Sequence, residues 1–155
     1  MSESPGDRHH EAGADQRPAS ESHVTEEIRL GPTILVAEDD LEQRVLFTRI
    51  FVASGYFVLA AENGAEAVEI ATRERPGLIM MDATMPEKTG WDATRELKDD
   101  VRTRHIPILI LTGHSGDVAR DAALAAGCDV YLTKPVPVRD LLTAVLTLLP
   151  QSSDR

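Results

Sequence analysis

The chain is short of cysteine, of positive charge and of long apolar runs, and each shortage removes a class of protein. Cys128 is the one cysteine among 155 residues, so no disulfide can close within the chain and a reducing, cytoplasmic location is expected. Lys and Arg number 16 against 26 Asp and Glu, a formal net charge of -10. A phosphate backbone repels such a surface unless a basic stripe offsets it, and none is visible, so nucleic acid is not an expected partner. No apolar run reaches the roughly 18 residues of a membrane-crossing helix, and the start lacks the apolar core of a secretory leader. Neither membrane insertion nor secretion is expected. The length suits one ordinary domain and is too small for two.

Residues 1–30 differ from the rest. They hold seven acids, three arginines and no Phe, Tyr or Trp. So little apolar surface cannot offset the entropy of ordering, and the segment reads as a disordered acidic tail. The pair His9-His10 inside it reads as solvated rather than as a metal site, because a site needs further ligands held in place.

From Thr33 onward short aliphatic runs alternate with helical patterns. The runs are 33–37, 56–60, 77–81, 108–111 and 129–132, and most lack the polar alternation of a half-exposed strand. Between them, Leu41, Val45, Leu46 and Ile50 mark a first helix, and Ala67, Val68 and Ala71 a second. Trp91, Thr94 and Leu97 suggest a third, Ala122, Leu124 and Ala125 a fourth, and Leu141, Leu142, Val145, Leu146 and Leu149 a fifth. Gly55, Asn63-Gly64, Pro76-Gly77, Gly113, Gly116 and Gly127 stand at the joins, and Pro137 where a first helical turn tolerates proline. Five such repeats imply an α/β domain of three layers with a parallel sheet, over residues 31–150, followed by a short tail at 151–155.

In an open parallel sheet, ligands bind beyond the carboxyl ends of the strands. The first run is followed by Glu38-Asp39-Asp40, the third by Asp82, the fourth by Thr112 and the fifth by Lys134-Pro135. Acid, acid, hydroxyl and ammonium therefore meet at one edge. Crowded carboxylates raise one another's pKa unless a cation joins them. Their oxygens suit a hard divalent ion such as Mg2+, which shares itself with phosphate. A carboxylate can also attack phosphorus and become an acyl phosphate, a transfer that needs mainly in-line positioning and charge neutralisation.

These residues resemble the receiver domain of two-component response regulators, from about Thr33 to Pro150. Residues 34–40 are similar to its first strand and acidic pair, and Asp82-Ala83-Thr84-Met85-Pro86 with Gly90 to its phosphoacceptor loop. Leu111-Thr112-Gly113 and Tyr131-Leu132-Thr133-Lys134-Pro135 resemble its switch threonine and its aromatic-to-lysine segment. The intervals of 43 from Asp39 to Asp82, 30 onward to Thr112 and 22 onward to Lys134 suit that family.

The resemblance implies a doubly wound, flavodoxin-like sheet of strand order 2-1-3-4-5. It also implies roles. Asp82 is the expected phosphoacceptor. Asp39 is expected to hold Mg2+ directly and Glu38 through water, with the Thr84 main-chain carbonyl as a further ligand. Lys134 would pair with the phosphoryl group through a segment whose bond to Pro135 is cis. Thr112 would turn onto the phosphoryl oxygens, with Tyr131 changing rotamer in response. Thr84 and His114 stand where the family tunes hydrolysis, and Gly113 replaces a common alanine, which loosens that loop. The donor would be a sensor histidine kinase or a histidine phosphotransfer protein, docking on the first helix near Phe47 and Phe51. The output would be contacts with a downstream protein, with dimerisation on phosphorylation left open. Only five residues follow Pro150, so no DNA-binding or enzymatic output domain is expected there. The resemblance implies a stand-alone, self-phosphorylating receiver rather than a turnover enzyme, with intrinsic autodephosphorylation left open.

Blander readings stand beside these. Asp40 suits a helix N-cap as well as a metal site, and Tyr131 suits edge-strand packing as well as switching. Trp91 is expected to anchor the third helix, and His105 and His114 to be surface histidines. Leu148 beside Leu149, with Leu142 beside Leu141, exceeds what one core face needs. Two rival functions are a constitutive adaptor with a silent site and an aspartyl-phosphate phosphohydrolase of the haloacid dehalogenase type. The latter wants a second acid where Thr84 stands.

Overall fold

A computed structural model describes residues 31–149. The expected tail at 1–30, its His9-His10 pair and the segment 150–155 lie outside the described residues. Five strands and five helices alternate: β1 Thr33–Ala37, α1 Leu41–Ala53, β2 Phe57–Ala61, α2 Gly64–Glu74, β3 Leu78–Asp82, α3 Gly90–Asp99, β4 Ile108–Thr112, α4 Gly116–Ala126, β5 Val130–Thr133 and α5 Val138–Leu148. All neighbouring strands pair in parallel, in the order β2-β1-β3-β4-β5. This is the layered parallel sheet expected from the alternation, in the doubly wound order that the resemblance implies.

Three of the five helices begin where a short polar side chain satisfies a free N–H. Asp40 Oδ2 accepts from Gln43 N, Asn63 Oδ1 from Glu66 N, and Thr89 Oγ1 from Asp92 N. Asp40 is therefore the N-cap of α1. Pro137 takes the N-cap place of α5, one residue before the first turn.

The period of two along each strand divides the interior. Ile34, Val36, Leu78, Met80, Leu109 and Leu111 pack with Phe51 of α1 and with Leu141 and Val145 of α5. Leu35, Ala37, Ile79, Met81, Ile108 and Ile110 pack on the other face with Ala67 and Ala71 of α2 and Ala93 and Leu97 of α3. Every residue of β3 and β4 is buried, the physical reason those runs showed no polar alternation.

Four expectations are corrected. Leu41, Val45 and Leu46 of α1 are exposed, and only Phe51 of that helix is fully buried. Phe51 lies in the core, edge-on to Tyr56 with ring centroids 6.3 Å apart, and is no part of a docking surface. In α4, Ala119, Ala123 and Ala126 face inward while Leu124 is 74% exposed. In α5 the apparent leucine surplus is mostly core: Leu141 and Leu149 are buried, with Leu142 and Leu148 packed against them, and Leu146 is exposed.

Candidate active site at the carboxyl edge of the sheet

The same period of two delivers the charged groups. Glu38 continues the row of Ile34 and Val36, Asp82 that of Leu78 and Met80, and Lys134 that of Val130 and Leu132. All three arrive at the end of the sheet with the parity of the α1 and α5 face. There Lys134 Nζ lies 2.9 Å from Asp82 Oδ1, 3.8 Å from Glu38 Oε1 and 3.4 Å from Gln43 Oε1 of α1. The Lys134-Pro135 peptide bond is cis.

Glu38, Asp39 and Asp82 each offer a carboxylate oxygen within 4.8 Å of the others. Glu38 is only 2% exposed, and its Oε1 is buried without a hydrogen-bond partner. Its Oε2 accepts from Asp40 N at 3.1 Å. Burial, reinforced by the neighbouring Asp82, pushes the Glu38 carboxyl up to about 7, against the pull of the Asp40 N–H and of Lys134. Burial also raises Asp82, opposed chiefly by Lys134. Three clustered carboxylates beside one ammonium leave negative charge over, and Glu38 Oε1 among them has no hydrogen-bond partner. This donor set fits a hard divalent cation such as Mg2+.

Main-chain contacts hold the rim. Glu38 N donates to Ala61 O, extending the β1–β2 ladder by one bond. Arg44 Nη1 donates to Glu38 O at 2.8 Å and to Asp39 O at 3.4 Å, and its Nη2 stands 3.8 Å from Glu62 Oε2. Gly90 N donates to Ala83 O at 2.9 Å, and a Cβ on Gly90 would overlap the Asp82 carbonyl oxygen. Only glycine lets α3 start this close to the loop that follows β3.

Thr112 ends β4 with the opposite parity, that of Ile108 and Ile110. It is fully buried, and its Oγ1 accepts from His114 N at 3.0 Å. Tyr131, opposite Ile110 on the edge strand, is half-buried against the α2–α3 core. Thr84 and His114 are exposed in the loops after β3 and β4. The structure thus brings together Glu38, Asp39, Asp82 and Lys134, and sets Thr112 and Tyr131 on the other face of the same sheet end. Gly113 stands in open space, His105 is exposed, and Trp91 packs half-buried against the core. Arg44 and Gln43 were not singled out in the sequence, where they are only polar positions in an apolar helix.

Beside the site, a groove of about 490 Å³ runs between α1 and α5, lined by Gln43, Leu46, Phe47, Ile50 and Val138 with Lys134 at one end. Cys128 sits away from it, half-buried, and burial raises its thiol pKa. None of the described helices is long and apolar enough to cross a membrane.

Residues 34–146 match the family described as the response regulator receiver domain. The polar-differentiation response regulator DivK of Brucella anthropi is 33% identical over 117 residues, covering 76% of this chain and 95% of its own length. Histidine kinase P4 of Formosa agariphila is 35% identical over 117 residues that make up 8% of that longer protein. The signal receiver domain of a histidine kinase from Syntrophus aciditrophicus superposes with a TM-score of 0.75 at 33% identity, covering 81% of this chain and 95% of its own. The receiver domain of a sensor histidine kinase from Pseudomonas aeruginosa PAO1, solved with a magnesium ion in its active-site cleft, gives 0.72 at 31% identity, covering 77% and 98%.

Proposed function

The chain belongs to the response-regulator receiver family, and from that premise we propose that it is a signalling module that accepts a phosphoryl group on Asp82. The observation that carries this reading is the contact of Lys134 Nζ with Asp82 Oδ1 at 2.9 Å, beside two further acids at the carboxyl edge of the sheet. An Asp82 carboxylate oxygen attacks the phosphorus of a phosphohistidine or a small acyl phosphate. The new O–P bond forms as the bond to the donor breaks, and the donor leaves with the electron pair. Lys134, already against Asp82, stabilises charge on the phosphoryl oxygens.

Glu38, Asp39 and Asp82, with the Thr84 main-chain carbonyl, would hold Mg2+; when bound, the ion supplies neutralisation of the charge that gathers during transfer. Thr112 would turn its hydroxyl toward the phosphoryl group, and Tyr131, on the same face of the sheet, would respond by rotamer change. Thr84 and His114, both exposed beside the site, would set the rate of hydrolysis of the acyl phosphate. The donor would be a histidine kinase or phosphotransfer protein, seated in the groove between α1 and α5 against Leu46 and Phe47. Output would follow from the shifted conformational population, read by a downstream protein.

Intact mass after incubation with Mg2+ and acetyl phosphate tests this directly. One phosphoryl group should add to the wild type, none to Asp82→Asn, and EDTA should abolish the addition. A wild type that stays unmodified, even with a panel of histidine kinases, would instead mean a receiver-fold adaptor with a silent site.

A further inference from the structure

We propose that Arg44 is a positioning residue for the acidic cluster, fixing the main chain of Glu38 and Asp39 so that both carboxylates face Asp82. The proposal rests on the reading above only in taking that cluster as the seat of a divalent cation. The last ladder bond of β1 is Glu38 N to Ala61 O. Beyond it the chain must turn into α1 while carrying two acids that repel each other and Asp82. Asp40 opens the helix, and the Arg44 N–H bonds back to the Asp40 carbonyl in its first turn. The side chain of the same residue reaches further back, placing one guanidinium nitrogen on the Glu38 and Asp39 carbonyl oxygens. Its other terminal nitrogen faces Glu62 after β2.

A single planar cation therefore ties the turn to two elements. The side chain is 14% exposed, so water competes weakly for these bonds, and the planar guanidinium presents its donors in a fixed fork. Arg49, five residues on in the same helix, is exposed in the ordinary way of a surface arginine. Rotating either fixed carbonyl would swing the attached carboxylate out of the cluster. Arg44 touches no carboxylate of that cluster within ion-pair distance among the described residues, so its effect passes through the backbone.

The test uses the full chain as wild type, Arg44→Met and Arg44→Lys. Mg2+ affinity is read by calorimetric titration, and the rate of phosphorylation by acetyl phosphate is read at low and saturating Mg2+. Removing a group that orients metal ligands typically costs about 10- to 100-fold in metal affinity. Arg44→Met should therefore raise the Mg2+ Kd by about 10-fold or more, while saturating Mg2+ restores most of the maximal rate. Arg44→Lys keeps the charge without the fork and should fall between the two. An Arg44→Met protein that melts as a folded domain and binds Mg2+ like the wild type overturns the proposal. Should that variant fail to fold, Arg44→Lys decides: a wild-type Kd overturns it and a weaker one supports it. A wild type that binds Mg2+ yet takes no phosphoryl group overturns the phosphoacceptor reading, while the Kd comparison still decides the role of Arg44. A wild type that binds no Mg2+ overturns both.

Discussion

Glu38 carries an acid-base consequence that can be worked out from its burial. Its carboxyl titrates at the ordinary 4.5 in the unfolded chain and at about 7 in the folded, metal-free protein. Between those values the folded state holds more protons than the unfolded one, so this group's contribution to stability falls as pH rises. Above about pH 7 the loss is complete. Asp82 is shifted in the same direction. We expect the metal-free melting temperature to drop between pH 5 and 7.5 more steeply in the wild type than in Glu38→Gln, and Mg2+ to stabilise the wild type more at pH 7.5 than at 5.5. Parallel pH profiles for the two proteins would refute this account. At this scale the acids and the lysine were legible in the sequence, because each follows an aliphatic run whose end is easy to place. Arg44 was not, because its work depends on a side chain folding back across a turn, and spacing alone does not show direction.

Among the elements, the strands were legible to within a residue or so. The runs expected at 56–60, 77–81 and 129–132 each fall one residue earlier than the strands Phe57–Ala61, Leu78–Asp82 and Val130–Thr133. Apolar residues mark what is buried, whereas strand ends are set by hydrogen bonds, and so Asp82 and Thr112 belong to their strands rather than following them. The buried side of α1 was not legible, because Leu41, Val45, Leu46, Phe47, Ile50, Phe51 and Val52 leave almost no polar stripe to orient it. In α4 the same ambiguity arises from alanines, which suit either face. The outcome for α1 is an exposed apolar edge beside the site. Leu46 is 54% exposed, so Leu46→Glu should change stability by no more than about 0.5 kcal/mol and leave labelling by acetyl phosphate intact. Transfer from a phosphohistidine donor that labels the wild type should slow by about tenfold, the effect of losing roughly 1.4 kcal/mol of docking energy. Equal rates from that donor would remove the groove from the transfer step.

For the molecule as a whole, the two cores share one sheet. Leu109 and Ile79 are fully buried on its opposite faces. Leu109→Ala and Ile79→Ala should each cost about 2–5 kcal/mol, and each should shift a single cooperative denaturation curve, because neither face can stay packed once the strands between them separate. Two resolved transitions, one for each variant, would show that the layers melt separately. The layered arrangement itself was legible from the alternation of runs and helices, whereas which helix covers which face depended on crossover geometry that no local pattern records.

The parity of the strands has a consequence for how a signal travels. Glu38, Asp82 and Lys134 stand on one side of a wall, and Thr112 and Tyr131 on the other, with every residue of β3 and β4 packed solid between them. Only at the strand ends, where Asp82 and Thr112 are the last residues of β3 and β4, can a side chain of one face turn toward the other. The loops that follow β3, β4 and β5 join the two faces at this end of the sheet. On the proposed reading, the rim is a doorway between the face that would receive the phosphoryl group and the face that would pass the signal on. Substitutions at rim positions outside the acidic cluster, Lys134 and Thr112 should alter communication between the two.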